Sequence, residues 1–314
     1  MIPNRRSVGV VIPTYFAEFH LGRLLPLLVA SSLKPRILVI DSSSDDNTIG
    51  VAEQYGAETL VIARDAFNHG ATRELGRKQL DTDIVVMMTQ DAYPIREDML
   101  EHLVRPLLAG EASVSYGRQI PRDGSDIFEA FPRTFNYPAV SHIRGIADVN
   151  TYGVYTFFCS DSCSAYVNTA LDEIGGIEPI LTNEDYFAVA RLLQRGHRIA
   201  YVAEAVVEHS HKYTLLEEFQ RYFDTGYVRA VNPWVTGLVG NAEGRGAAFL
   251  RTFLRELAAN KPLLLPYAIL NSFIKWLGYR VGFLSLNAPV GLKKMLSGQK
   301  QYWTSRAFID HESR

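Results

Sequence analysis

Cysteine is almost absent from this chain. Cys159 and Cys163 are the only two, four residues apart, with no second pair and no neighbouring histidine. That count leaves neither a zinc site nor a disulfide framework to expect, and it suits a reducing cytoplasm. Charge of one sign is equally scarce: 32 Lys and Arg against 34 Asp and Glu give a formal net charge of -2. With no basic stripe and no acidic tail, nucleic acid is not an expected partner. Long apolar runs are missing too. The stretch behind Arg5-Arg6 ends at Pro13 and Thr14, too short for a signal-peptide core. The run from Leu263 to Leu286 is interrupted by Pro266, Lys275 and Arg280, which leaves it short of the ~20 residues a membrane span requires. There is no internal repeat and no low-complexity segment. The 314 residues as a whole, 47% hydrophobic, describe an ordinary globular protein with one large core or two modest ones.

The N-terminal half alternates strand and helix patterns. Strands are expected over Arg6 to Ile12, Arg36 to Ile40, Thr59 to Ile62 and Ile84 to Met88. Helices are expected over Leu21 to Ser31, Thr48 to Tyr55, with Asp46 or Asn47 as N-cap, and Ala71 to Gln79. The strands are near-continuous Val/Ile rather than alternating, which predicts an α/β fold with a mostly parallel sheet covered by helices on both faces. In such a sheet ligands bind beyond the carboxyl ends of strands. Asp91 closes the apolar run Val85-Val86-Met87-Met88-Thr89-Gln90 at such an end, and Asp41 closes another. Either acid can equally open a loop through an Asx-turn.

Three further motifs carry chemistry. Phe67-Asn68-His69-Gly70-Ala71-Thr72-Arg73 spans a loop turning into a helix. Its glycine permits close backbone approach, its helix start offers unpaired N–H groups to an anion, and Arg73 presents a planar fork of donors one turn in. Asn183-Glu184-Asp185 precedes a helix marked by Tyr186, Val189, Ala190 and Leu193. Its two acids serve either as general base and helper or as dipole-compensating residues behind an Asn183 cap. His209 ends the strand pattern Ala205 to Glu208, and His211 shares its parity.

The strand ends Val11-Ile12-Pro13-Thr14-Tyr15, Ile40-Asp41-Ser42-Ser43-Ser44-Asp45-Asp46 and Thr89-Gln90-Asp91-Ala92, in this order, resemble the nucleotide-binding half of a family 2 glycosyltransferase with the GT-A fold. The Phe67 to Arg73 motif, Thr89 to Ala92 and His209-Ser210-His211-Lys212-Tyr213 more narrowly resemble bacterial rhamnosyltransferases that build O-antigen and related surface polysaccharides. The resemblance runs from about Val8 to Tyr227 and continues, weaker, into the C-terminal tail. It implies an inverting transferase taking L-rhamnose from dTDP-L-rhamnose to a lipid-linked saccharide. It places Pro13, Thr14, Tyr15, Asp41, Ser43, Phe67, Asn68, Gly70, Arg73, Gln90 and Asp91 around a pyrimidine nucleotide-sugar, with Asp41 accepting the ring N–H. It gives the general base to Asp185, and to Glu184 the orienting of the acceptor or of neighbouring groups. GT-A enzymes often carry two acids at the metal position. Here Thr89 replaces the first, so Mg2+ or Mn2+ would rest on Asp91, the diphosphate and His209, with His211 as the competitor.

Between these motifs, residues 117–158 show no periodicity. Arg118, Arg122, Phe131, Arg133, Phe135 and Tyr137 would form an acceptor-facing flap or a solvated loop. Gly175-Gly176 would hinge a closing loop or make a simple turn. The expected organisation is a catalytic domain over 1–213, its nucleotide half about 1–118 and its acceptor half about 119–213, then a helical segment over 214–314. In that segment Trp276, Tyr279 and Trp303 beside Lys275, Arg280, Lys293, Lys294 and Lys300 would suit a peripheral position on the inner membrane face, or the helices would pack on the catalytic domain or in a homo-oligomer. Two rivals remain from other classes. A sugar-phosphate nucleotidyltransferase should have a Gly-rich loop where Pro13-Thr14-Tyr15-Phe16 stands; a sugar-nucleotide-binding protein without turnover would be explained by Thr89. A GT-A transferase using another pyrimidine sugar nucleotide is the nearer alternative.

Overall fold

Val10 and Ile12 of the first strand turn to one face of a sheet and Val11 to the other, and all three are fully buried, as a strand covered on both faces requires. The computed structural model describes residues 6–239 and 243–312, so Arg5 lies outside it. The chain divides into two compact units, one of Met1–Ala147, Phe157–Pro179 and Glu184–Ser210, the other of Asp148–Thr156, Ile180–Asn183 and His211–Arg314.

The first unit holds β1 (Val8–Thr14), α1 (Glu18–Ala30), β2 (Arg36–Asp41), α2 (Thr48–Gln54), β3 (Glu58–Val61), α3 (His69–Leu80), β4 (Ile84–Met88), β5 (Tyr93–Pro94), α4 (Met99–Leu108), β6 (Val114–Ile120), α5 (Ile127–Asn136) and β7 (His142–Arg144). After α6 (Val149–Tyr152), which falls in the second unit, it continues with β8 (Cys163–Val167), α7 (Asn168–Glu173), α8 (Glu184–Gln194) and β9 (Ile199–Glu208). The strands form one sheet in the order β3-β2-β1-β4-β8-β6-β9-β5, with β7 beside β9. The first four strands are parallel, as their Val/Ile runs predict. Beyond β4 the sheet is mixed: β8 is antiparallel to both its neighbours, β6 and β9 are parallel, and β5 and β7 run antiparallel to β9. Leu21, Leu24, Leu25 and Leu28 of α1 and Met99, Leu103 and Leu107 of α4 join Val10, Ile12, Val39, Val86 and Met88 in one core. On the opposite face α3 backs its Gly76 onto Val11 and Ile40.

Register decides what meets at the sheet edge. Thr14 pairs with Asp41, and Val11 with Met87, so the loops after β1, β2 and β4 leave from one edge. Tyr93 pairs with Glu208 in the antiparallel β5–β9 ladder, which brings Asp91, two residues before, beside His209, one residue after.

The stretch 117–158 is not a plain loop. It contains the end of β6, then α5 with a complete capping box in which Asp126 and Glu129 satisfy each other's N–H groups, then β7. Its helix was illegible because Pro132 and scattered arginines mask the apolar face that Phe131 buries. Gly175 and Gly176, both at positive φ, end α7 in a turn whose amides return to Asp172 and Leu171. The hinge reading therefore gives way to the turn. Cys159 and Cys163 are free and buried.

In the second unit α9 (Leu215–Val231), α10 (Pro233–Val239), α11 (Glu243–Asn260), α12 (Leu265–Leu284), α13 (Val290–Leu296) and α14 (Arg306–Glu312) follow one another. Helices α9 and α12 touch backbone to backbone: Gly278 lies against Phe219 and Gly282 against Phe223. No described helix is long and apolar enough to cross a membrane. The expected interfacial set is partly wrong. Trp303 and Lys293 are each 2% exposed, Trp303 among Tyr227, Tyr302 and Phe308, and Lys293 donating to the Leu286 carbonyl. Lys275 is spent on Glu218 at 2.9 Å. Aromatic and cationic residues also build helix cores, and only packing separates the two uses. What stays exposed on α12 is Tyr267, Ile269, Leu270, Phe273, Trp276, Phe283 and Leu284, with Arg280 beside them.

Candidate functional site

Strand β4 is buried along its length and stops at Met88, and the next turn carries Asp91. The carboxylate has two neighbours of opposite character. Arg122 donates to Oδ2 at 2.8 Å and to the Asp91 carbonyl at 2.7 Å. His209 Nε2 stands 3.4 Å from Oδ1. The other ring nitrogen, Nδ1, meets Gln119 Oε1 at 3.1 Å, and the same amide donates to Ser160. That orientation puts the proton on Nδ1, and Arg133 anchors the His209 carbonyl. Burial holds the imidazole below its ordinary pKa, against the pull of Asp91. A neutral ring therefore turns a lone pair toward a carboxylate, two acceptors close enough to share a cation. A divalent ion fits that donor set, with Asp91 Oδ1 and His209 Nε2 as its protein ligands. Arg122, taken from the sequence as flap or loop, is instead fixed on the acid of this site. His211 follows two residues on, in the second unit.

The nucleotide side differs from expectation in its details. Asp41 is 1% exposed and its oxygens accept from Thr14 Oγ1 at 3.1 Å, Ser44 Oγ at 2.6 Å and Ser44 N at 2.7 Å. It ties its own loop first, and the second lone pair of Oδ2 is what remains for a base. Ser43, at positive φ, gives its hydroxyl to the Ile62 carbonyl. Gln90 clamps the backbone of Tyr15 from both sides, accepting from its N–H at 2.8 Å and donating to its carbonyl at 3.1 Å. What this edge leaves open is the Tyr15 ring, 37% exposed, with the Arg64 guanidinium 3.5 Å over its face. Pro13 and Thr14 hold their places within β1 behind it. Arg64 was missed, because nothing in Ala63-Arg64-Asp65 distinguishes it locally.

The Phe67 to Arg73 motif also serves the protein before any phosphate. Asn68 caps α3 by accepting from the Ala71 N–H at 3.0 Å, and Phe67 packs edge-on against His69. Gly70 is required by the Glu178 backbone: a Cβ there would stand 2.8 Å from the Glu178 carbonyl carbon and nearer still to its oxygen. Arg73 is 3% exposed and ion-paired with Glu184, with Asp161 at 3.6 Å from Nε. The donors expected at a phosphate or base edge therefore turn inward, Nη1 to Glu184, Nη2 to the Asp161 carbonyl at 3.5 Å and Nε toward the Asp161 carboxylate. Burial opposes the charge of Arg73, and Glu184, Asp161 and Asp185 overrule it.

Helix α8 begins at Glu184, and Asn183 before it sits at φ 62°, outside the extended conformation of an ordinary N-cap. Of the two tasks expected of Glu184, the structure gives it the holding of a neighbouring group, Arg73. Asp185 is half-buried, its Oδ1 accepting from Tyr186 N at 2.7 Å and Oδ2 from Asp161 N at 3.2 Å. Burial, then the charges of Asp161 and Glu184, push its pKa well up. A carboxyl so placed holds a proton more firmly than an exposed one. Asp161 went unnoticed between the two cysteines that flank it.

The sequence profile described as Glycosyl transferase family 2 matches residues 9–175. The chain is 36% identical over 307 residues to the O-antigen chain rhamnosyltransferase RfbN of Salmonella typhimurium, covering 95% of this chain and 96% of that protein. It is 37% identical over 308 residues to WbaN of Salmonella anatum, an O-antigen chain rhamnosyltransferase, with the same coverage. Among solved structures, the mannosyltransferase PcManGT from Pyrobaculum calidifontis, in complex with GDP-Man and Mn2+, has the same fold at a TM-score of 0.62 and 16% identity, covering 91% of this chain and 89% of that one. S. aureus TarS 1-349 in complex with UDP-GlcNAc follows at 0.56 and 13%, covering 90% and 91%.

Proposed function

The chain belongs to glycosyl transferase family 2, and from that premise we propose that it transfers L-rhamnose, with inversion, from dTDP-L-rhamnose to a lipid-linked saccharide of a bacterial surface polysaccharide. The observation that carries the donor chemistry is the Asp91–His209 pair, a carboxylate and a neutral imidazole facing each other at a strand end. Rhamnose as the sugar is supported by relatives over a third identical along nearly the whole chain. Fold neighbours are titled with a GDP-sugar in one case and a UDP-sugar in another, so fold alone does not choose the base.

Asp185 takes the proton of the acceptor hydroxyl as its oxygen bonds to C1 of the sugar. The C1–O bond to the diphosphate breaks, and its electron pair leaves with the nucleotide. Arg122 brings a positive charge to the Asp91 end of the site, where that leaving group would lie. A divalent cation on Asp91 and His209 would supply further charge for the diphosphate. The imidazole nitrogen supports Mn2+ over Mg2+, which prefers oxygen. The Tyr15 face with Arg64 is the proposed platform for the base. The exposed row of α12 is the proposed contact with the membrane surface where a lipid-linked acceptor is presented.

Purified protein should release nucleoside diphosphate from dTDP-L-rhamnose, not from GDP-sugars, and should lose that activity in EDTA and regain it with Mn2+. Preference for a GDP-sugar, or full turnover in EDTA, would overturn the corresponding part of the reading. Binding without any turnover would favour the silent sugar-nucleotide-binding alternative that Thr89 leaves open.

A further inference from the structure

Asp161 is 2% exposed and lies in the turn before β8, between the helix that carries the acceptor-side acids and the arginine that faces them. Its side chain is anchored: Oδ1 accepts from Ser164 Oγ at 2.6 Å and from Tyr166 OH at 2.7 Å, and burial, which raises its pKa, is opposed by Arg73 and by these two hydroxyls, which favour the charged form. Its Oδ2 accepts no hydrogen bond among the described residues and faces Arg73 Nε, also unbonded, at 3.6 Å. Its backbone N–H donates to Asp185 Oδ2.

Two amides thus fix the plane of the Asp185 carboxyl, Tyr186 N on one oxygen and Asp161 N on the other. A carboxylate oxygen has a second lone pair, so Oδ2 remains able to meet an acceptor hydroxyl. The charges do not balance. The single guanidinium of Arg73 is in contact with Glu184 and close to Asp161, and Asp185 makes a third carboxyl beside it. The other titratable groups facing this cluster, Tyr166 and Cys159, have their pKa values pushed up by burial and so stay uncharged at neutral pH. His69, near Glu184 and Arg73, is likewise held neutral by burial.

We infer that Asp161 is a positioning residue for sugar transfer: its amide orients Asp185, and its anchored carboxylate keeps a second negative charge beside that base. A plain structural ion cluster would need only as many carboxylates as Arg73 can neutralise. Here the surplus is kept in a place where burial makes it costly. Asp185 is raised by burial first and by Asp161 next, ahead of Glu184 although Glu184 is its chain neighbour. A more basic carboxylate is a better proton acceptor as long as the working pH stays above its pKa. The inference rests on Asp185 being the base.

Asp161→Asn keeps the amide and the shape while removing the charge. The test follows dTDP release from dTDP-L-rhamnose, with a lipid-linked saccharide extract as acceptor, from pH 5 to 9. The acid limb of kcat/KM should move down by about one pH unit. Turnover near pH 7.5 should fall several-fold, and donor KM should stay as in the parent. Tyr166→Phe removes one anchor of the same carboxylate and should move the limb in the same direction by less; it serves as the readout if Asp161→Asn does not fold. A purely structural role lowers thermal stability and leaves the limb where it was, and that result overturns the inference. Asp185→Ala separates the two readings. If it still transfers, the base assignment itself fails. If it is inactive while the limb is unmoved in both other variants, only the role of Asp161 fails.

Discussion

Gly70→Ala separates two explanations of the Phe67 to Arg73 motif. If Gly70 exists so that a nucleotide can approach the backbone, an added methyl group leaves the free protein as stable as before and weakens donor binding. The structure predicts the opposite order of effects. Gly70 is the second residue of α3, where alanine is the better helix former by up to ~1 kcal/mol. Against that gain, the Cβ would stand 2.8 Å from the Glu178 carbonyl carbon and 3.4 Å from Glu184 Cβ. The first obstacle is backbone and cannot rotate away. Overpacking of this kind costs about 1–3 kcal/mol. Any separation of α3 from α8 also strains the buried Arg73–Glu184 pair, whose breaking costs about 3–5 kcal/mol. The net expectation is a loss of about 1–3 kcal/mol, read as a fall in Tm of roughly 2–6 °C, taking about 2 °C per kcal/mol for a chain of this size. Gly22→Ala is the control: no atom lies within 4 Å of its added Cβ on α1, so the same chemical change should raise stability by about 0.5–1 kcal/mol. Scanning calorimetry of the ligand-free proteins decides the matter. A Gly70→Ala variant melting at or above the parent, with dTDP protection lost, would refute the packing argument and return Gly70 to the nucleotide.

Asp91→Asn should abolish metal-dependent turnover while leaving the protein folded at a lower Tm, since the amide keeps the shape but loses the charge that Arg122 and a cation share; equal turnover at saturating Mn2+ would remove Asp91 from the metal site. Asp224, 3% exposed on α9, accepts from Gly298 N at 3.0 Å, and burial raises its pKa from 3.8 to about 7. The folded state then binds the proton more tightly than the unfolded state, so its contribution is full below pH 4 and lost as pH rises through 7, by at most ~4 kcal/mol. Asp224→Asn should therefore gain on the parent between pH 5 and 8, and parallel Tm curves would count against it. Trp276→Ser with Phe273→Ser on the exposed row of α12 should reduce flotation with anionic liposomes at low salt, whereas unchanged flotation would move membrane contact elsewhere.

The sequence by itself determined the parallel half of the sheet and the strand ends whose loops leave from one edge. Strands β1, β2 and β4 are near-continuous apolar runs, each followed by polar residues, and that pattern is local, written within ten residues. The family was legible for the same reason, because its strand-end motifs come in a fixed order. Tertiary structure decided what those motif residues do. Arg73 and Glu184 are 111 positions apart and Arg122 and Asp91 are 31 apart, so no local pattern says which buried charge answers which. A buried guanidinium must find a carboxylate, and the nearest one in the fold takes its donors whatever the motif implies. Gln90 holds the Tyr15 backbone and Asp41 ties its own loop, pairings that no local pattern prints. Trp303 and Lys293 were read as a membrane face and are core, because an amphipathic side chain shows the same sequence signature at either surface. Asp161 carries no signature at all: its meaning comes only from the amide it turns toward Asp185 and the charge it adds beside it.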